Sequence, residues 1–181
     1  MTEQVKARNN LWDNFFRKRD GEESSVKHLL SSVPIFSQLT DKELSKIESI
    51  VHHRKYRADE YVFAQGDPGL GMYIIEEGEV VILHSISDGT IKELAKLKDG
   101  DFFGELSLLD ESPRSASAVA NTPSSIIGFF RPDLLDLLTR SPKAGTKILL
   151  KLGEVIGTRL RVTNEQLSKL SAEMESRNSN K

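Results

Sequence analysis

The chain has 181 residues, 29% of them charged and 38% hydrophobic, enough for one domain with a good core and short for two. It contains no apolar run of the ~18 residues a membrane span requires, no apolar core near Met1 of the kind a secretion signal carries, and no cysteine, so a disulfide scaffold is excluded and a cytoplasmic location is expected. A net charge of −2 provides no broad attraction to nucleic acid.

Near the N-terminus, Val5, Leu11, Trp12, Phe15 and Phe16 recur at helical spacing opposite a Lys and Arg face. Such an aromatic face packs on its own domain, on a partner or on a membrane surface. Gly21, Glu22 and Glu23 break the pattern, and a second helix follows in SSVKHLLSS, ending before Pro34. Thr40 ahead of Asp41 and Glu43 is an N-cap signal with acidic residues at the positive end of the dipole. It predicts a helix over residues 41 to about 52, with Leu44, Ile47, Ile50 and Val51 facing a sheet.

The signals then change to short strands, predicted at residues 53–57, 60–64, 72–76, 79–85, 91–97, 115–121 and 124–130. Gly66, Gly69, Gly71 and Gly78 fall at turns or close approaches, and Asp88-Gly89 marks a hairpin. Many short strands with regular turns predict an antiparallel sandwich or jelly roll. The expected class is α+β: a jelly-roll-like antiparallel β-roll with N-terminal helices and a long C-terminal helix. Arg131-Pro132-Asp133 opens a helix ending near Ser141-Pro142, and a longer one runs from Lys143 to about Glu175. Along it Leu149, Gly153, Ile156, Leu160, Thr163, Leu167, Leu170 and Met174 alternate four and three apart. That stripe predicts a parallel homodimer, or packing of the helix on its own roll. Asn178 to Lys181 is expected to fray. The organisation expected is a helical extension over 1–31, a β-roll with its helical prelude over 32–141, and the long helix with its tail over 142–181.

The most informative stretch is FFGELSLLDESPRSASAVA, residues 102–120. Phe103 closes an apolar strand end and Gly104, lacking a Cβ, lets the backbone approach a ligand. Glu105 to Leu109 reads as one helical turn, so the N–H groups of Gly104, Leu106 and Ser107 can donate to an anionic oxygen. Arg114 adds a full charge and a planar fork for two oxygens, with the Ser115 hydroxyl and N–H beside it. Glu105 is a poor neighbour for a phosphate but a good acceptor for a ribose hydroxyl. A 3′,5′-cyclic nucleotide offers these handles, with only its 2′-hydroxyl free. The alternative is a surface turn in which Arg114 pairs with Asp110 or Glu111.

The spacing Phe-Gly-Glu-Leu-x-Leu, a short insert, then Pro-Arg-Ser-Ala resembles the phosphate-binding cassette of cyclic nucleotide-binding domains, among them protein kinase A regulatory subunits and bacterial catabolite activators. The entry Val-Pro-Ile-Phe-x-x-Leu-Thr and the run FAQGDPGLGMYIIEEGEVVI resemble that family's helical prelude and β-roll, so the resemblance covers about residues 30–165. It implies that Gly104, Leu106, Ser107, Arg114, Ser115 and Ala116 hold the cyclic phosphate and Glu105 the ribose. TRLRVTNEQLSKL is similar to the central helix of catabolite activators, where a Thr-Ser pair meets adenine, one residue from each subunit. Carried over, Thr163 contacts the adenine amino edge. Asn164 replaces the serine and, being longer, can also read a guanine edge. Arg159, one turn earlier, points toward Glu105 or the ligand, or is a plain surface residue. Ile82 and Leu94 correspond to apolar residues that flank the base. Ser115 suits either nucleotide and Thr163 favours cAMP, with cGMP the second candidate.

The implied function is a cyclic nucleotide sensor that signals to a separate, unidentified effector through its C-terminal helices. The alternative is a non-enzymatic dimeric scaffold with a vestigial pocket. The helix-turn-helix that follows the central helix in catabolite activators does not fit in Leu170 to Lys181, so direct DNA binding is not expected. No catalytic set, cofactor or metal is expected. His28, His52, His53 and His84 lack metal spacing with carboxylates, and no nucleophile or metal cluster stands by Glu105 and Arg114 to make a phosphodiesterase.

Overall fold

The computed structural model describes residues 26–179; the aromatic face around Trp12 and the break at Gly21 lie outside the described residues, as do Asn180 and Lys181. The chain enters through helix α1 (Val26–Ser32) and a 3-10 turn, Pro34–Phe36, that drives Ile35 and Phe36 into the core. Helix α2 (Asp41–Glu48) opens with a closed capping box. The Glu43 N–H donates to Thr40 Oγ1 at 3.4 Å and the Thr40 N–H to Glu43 Oε2 at 2.8 Å. A cap of this kind contributes about 1 kcal/mol. The helix stops at Glu48, earlier than the pattern predicts. Ile50 and Val51 both donate back to the Ile47 carbonyl, and His52 is already paired with Gly128 in a sheet.

Eight strands follow: β1 (His52–Tyr56), β2 (Tyr61–Phe63), β3 (Gly71–Glu77), β4 (Glu79–Ser85), β5 (Ile91–Lys98), β6 (Phe102–Phe103), β7 (Ser117–Ala120) and β8 (Ser124–Phe130). They form two sheets, ordered β1-β8-β3-β6 and β2-β7-β4-β5, and every ladder is antiparallel. The first sheet is covered on both faces. Met72, Ile74, Ile127 and Phe129 pack against the helices, while Ile75, Phe103 and Ile126 join Val80, Leu97 and Ala118 inside the roll. That double burial explains why β3 and β8 read as unbroken apolar runs rather than alternating ones.

Helix α3 (Arg131–Arg140) is opened by the Asp133 carboxylate, which accepts from the Phe130 N–H at 3.0 Å. Helix α4 (Pro142–Ser179) then follows. The helix buries a row beside the predicted stripe, Ala144, Ile148, Leu152 and Val155, in the helix-side core. Of the stripe itself, Leu149 and Ile156 pack against that core, whereas Gly153, Leu160, Thr163, Leu167, Leu170 and Met174 are exposed.

The Lys147 ammonium donates to Glu43 Oε2 at 2.7 Å and ties α4 to α2. This bond and the Thr40 N–H hold the Glu43 carboxyl down at about 2, from an ordinary 4.5. A carboxyl depressed by folding stabilises the protein above its unfolded value and loses that contribution as pH falls through the folded one. Glu43→Gln is therefore expected to melt below the wild type at neutral pH. The gap closes as pH falls from about 4.5 toward 2, followed by circular dichroism.

Candidate functional site

The segment after β6 turns at Gly104, which has φ +73°, and enters a 3-10 turn, Glu105–Leu108. A Cβ at position 104 would lie 2.6 Å from Arg114 Nη1. Only glycine meets both the backbone angle and the contact. Gly104→Ala is expected to lose about 1–2 kcal/mol through the left-handed conformation alone, read as a lower melting temperature. It should also weaken ligand binding, because the added methyl displaces the guanidinium.

Arg114 lies inside the roll, with 6% of its surface exposed. Its backbone is fixed by two bonds to the turn after β2: its N–H donates to the Asp67 carbonyl and its carbonyl accepts from Gly66, each at 2.8 Å. The guanidinium Nη1 donates to the Gly104 carbonyl at 3.1 Å and to Ser107 Oγ at 2.8 Å, and Nη2 to the Gly71 carbonyl at 2.8 Å. Its Cζ lies over the Phe63 ring, 4.0 Å from the centroid, and 5.5 Å from that of Tyr73. Of five N–H donors, these bonds use three. Nε is buried with no acceptor in the protein. Burial pushes the guanidinium pKa down from its ordinary value, although an arginine remains a cation.

The turn reading, in which Arg114 pairs with Asp110 or Glu111, does not hold. The Asp110 carboxylate accepts from the Ser112 N–H and hydroxyl, and Glu111 reaches Arg131 at 3.5 Å. Glu105 is buried and forms an ion pair through Oε1 with Arg159 Nη1, whose guanidinium also lies 5.0 Å over the Phe102 ring. One cation from α4 is thereby held against the cassette, and a second, Arg114, is bonded to the turn that carries Glu105.

Residues 53–141 match the family described as the cyclic nucleotide-binding domain. The chain is 37% identical over 145 residues to the Cyclic AMP receptor protein of Thermus thermophilus, covering 80% of this chain and 65% of that protein. It is 35% identical over 136 residues to the cAMP-dependent protein kinase regulatory subunit of Aspergillus niger, covering 75% of this chain and 31% of the subunit. The chain belongs to the cyclic nucleotide-binding domain family. Its fold also matches the crystal structure of a cyclic nucleotide-binding domain from Methylobacillus flagellatus KT, with a TM-score of 0.70 at 28% identity over 80% of this chain and 81% of that one. The chain thus spans about two thirds of the bacterial relative and about a third of the kinase subunit.

Within this cyclic nucleotide-binding domain, the fold brings Gly104, Glu105, Ser107, Arg114 and Arg159 together. Leu106 and Ser115 lie on the same segment and are exposed, and Ala116 is buried just before β7. His84 Nδ1 lies 3.0 Å from the Ser115 carbonyl. Ile82 packs against the roll's inner core. Leu94 is the extra residue of a bulge, because Ile82 pairs with Ala95 and Leu83 with Glu93. A bulge re-aims the side chain it carries. Thr163 and Asn164 are exposed on α4: the Thr163 hydroxyl donates to the Arg159 carbonyl at 2.9 Å, and the Asn164 carbonyl accepts from Ser168.

Phe63, Tyr73 and the Gly71 carbonyl around Arg114 were not among the predicted site residues. Tyr73 shares the inward face of β3 with Ile75, a period-two signal that points to it. Nothing local marks Phe63. No group of described residues has the make-up of a metal site, and no described helix is long and apolar enough to cross a membrane.

Proposed function

We propose that this domain is a cyclic nucleotide sensor, with cAMP as ligand and cGMP as competitor, that signals through α4 to a separate effector. The observation that carries the reading is Arg114. It is a buried cation absent from the ion pairs of the described residues, with an Nε–H that has no acceptor. The Glu105 and Asp67 carboxylates attract it only from beyond contact distance, so its desolvation is incompletely compensated. An anion entering beside it removes that penalty. The cyclic phosphate takes the Nε edge of Arg114 together with backbone donors of the Gly104 to Ser107 turn, the Ser115 hydroxyl and the Ala116 N–H. The ribose 2′-hydroxyl donates to Glu105 Oε2, the oxygen outside the Arg159 pair. The base lies toward Ile82 and Leu94, with Thr163 and Asn164 of α4 over its edge.

The Glu105–Arg159 pair gives the ligand a lever. A hydroxyl on Glu105 changes the balance of the contact that docks α4, so nucleotide affinity and α4 position are linked. The exposed half of the stripe, Leu160, Leu167, Leu170 and Met174, forms the seam of a parallel homodimer through which the change is read out. The names of the relatives, a cyclic AMP receptor and a kinase regulatory subunit, favour binding and regulation over catalysis. Hydrogen exchange over residues 143–175, with and without saturating cAMP, tests the sensor. Altered protection around Arg159 is expected, and identical exchange in both states contradicts signalling through this helix.

A further inference from the structure

We propose that Phe63 is a positioning residue for Arg114, holding the guanidinium plane so that its Nε edge faces the cyclic phosphate; this role rests on the nucleotide-binding reading above. The three hydrogen bonds of Arg114 run to Gly104, Ser107 and Gly71 through Nη1 and Nη2. Such bonds lie near the guanidinium plane and fix where its tips are. A contact on the flat face adds to them by resisting tilt of the plane about the line joining those tips, and with it any swing of Nε–H. At 4.0 Å that contact is the Phe63 ring, far closer than Tyr73 at 5.5 Å.

The strand is built to bring Phe63 inward. Strand β2 pairs Tyr61 with Val119 and Phe63 with Ala118, so Val62 is the extra residue of a bulge. In a regular strand Val62 and Phe63 would face opposite sides. Here Val62 is buried in the inner core and Phe63 packs against the same core. Behind it, the ring is braced by Tyr73 and Phe103, with centroids 5.6 and 5.8 Å away. The next turn is pinned by the Gln65 N–H, which donates to Ser117 Oγ at 2.8 Å.

The choice of an aromatic ring has a physical consequence. A carboxylate at this place would neutralise Arg114 and compete with the phosphate. A ring face offers only its quadrupole, which offsets part of the lost hydration and leaves the charge for an anion. Phe63 therefore stabilises a charged, oriented and still receptive guanidinium.

The test is cAMP titration of Phe63→Leu and Phe63→Tyr, repeated with the Sp and Rp phosphorothioate diastereomers. Each diastereomer places sulfur at one of the two exocyclic phosphate oxygens. Loss of the ring face is expected to weaken cAMP about tenfold, with the tyrosine variant staying within about twofold of wild type. The Sp to Rp affinity ratio, which a packing role would leave alone, should move toward unity in Phe63→Leu and hold in Phe63→Tyr. Phe63→Met serves if the leucine variant does not fold, as judged by its melting curve. A folded Phe63→Leu or Phe63→Met protein with wild-type affinity and ratio overturns the proposal and leaves the functional reading intact. So does an affinity loss with an unchanged ratio, which assigns Phe63 to packing alone. A wild-type protein that binds neither cAMP nor cGMP removes the functional reading, and the positioning role falls with it.

Discussion

Arg114→Ala is expected to lower cAMP affinity by at least about a hundredfold, or roughly 2.7 kcal/mol. The variant loses the only full charge proposed to meet the phosphate. It also loses the donor that fixes the cassette turn to β3 through the carbonyls of Gly104 and Gly71. The effect on the unliganded fold should be much smaller. Removing the side chain leaves three acceptors without their donor, at about 1–3 kcal/mol each when buried. It also removes a desolvated cation, which offsets much of that loss. A melting temperature within several degrees of wild type together with abolished binding is the expected pair of results. Binding that survives in a folded variant would place the phosphate elsewhere.

The second large effect is expected from Glu105→Ala. Both members of the pair are shielded, with side-chain exposures of 6% for Glu105 and 17% for Arg159. Breaking a buried pair from one side typically destabilises by about 3–5 kcal/mol. The same change removes the proposed ribose acceptor. Affinity for cAMP should therefore fall about tenfold to a hundredfold, the range for losing a hydrogen bond to a charged group. The diagnostic comparison uses 2′-deoxy-cAMP. Wild-type protein is expected to prefer cAMP clearly, and Glu105→Ala to bind the two alike. Hydrogen exchange around Arg159 should rise in the variant without ligand. Unchanged discrimination would detach Glu105 from the ribose, and unchanged exchange would detach it from α4.

Much of the fold was legible because its signals are local. The hairpin at Asp88-Gly89 is an example: Gly89 has φ +84° and the Ile86 N–H donates to the Thr90 carbonyl at 2.9 Å, as a tight turn requires. The Thr40 cap was likewise written within four positions, by Thr40, Asp41 and Glu43. The end of α2 was not, since Ile50 and Val51 suit a helix face as well as a turn, and pairing of His52 with Gly128 decides between them. The stripe on α4 shows the same limit from another side. A four-and-three spacing is identical whether a helix packs on its own core or on a partner, and only the packed structure divides it near Arg159.

The cassette was legible because Gly104, Glu105 and Arg114 sit within eleven consecutive positions. What surrounds Arg114 was not. Phe63, Gly71 and Tyr73 lie more than forty positions upstream, and a bulge at Val62 turns Phe63 inward against the alternation a strand leads one to expect. Leu94 owes its placement to another bulge. Bulges follow from ladder register, a property of two strands that no single strand's sequence displays.

The most direct test of the account is calorimetric titration of cAMP into protein that has been unfolded, stripped of any bound nucleotide and refolded. Saturable binding at one site per chain, at micromolar affinity or tighter, is the predicted result. No heat with cAMP or cGMP, together with an unchanged melting temperature at millimolar nucleotide, would contradict it.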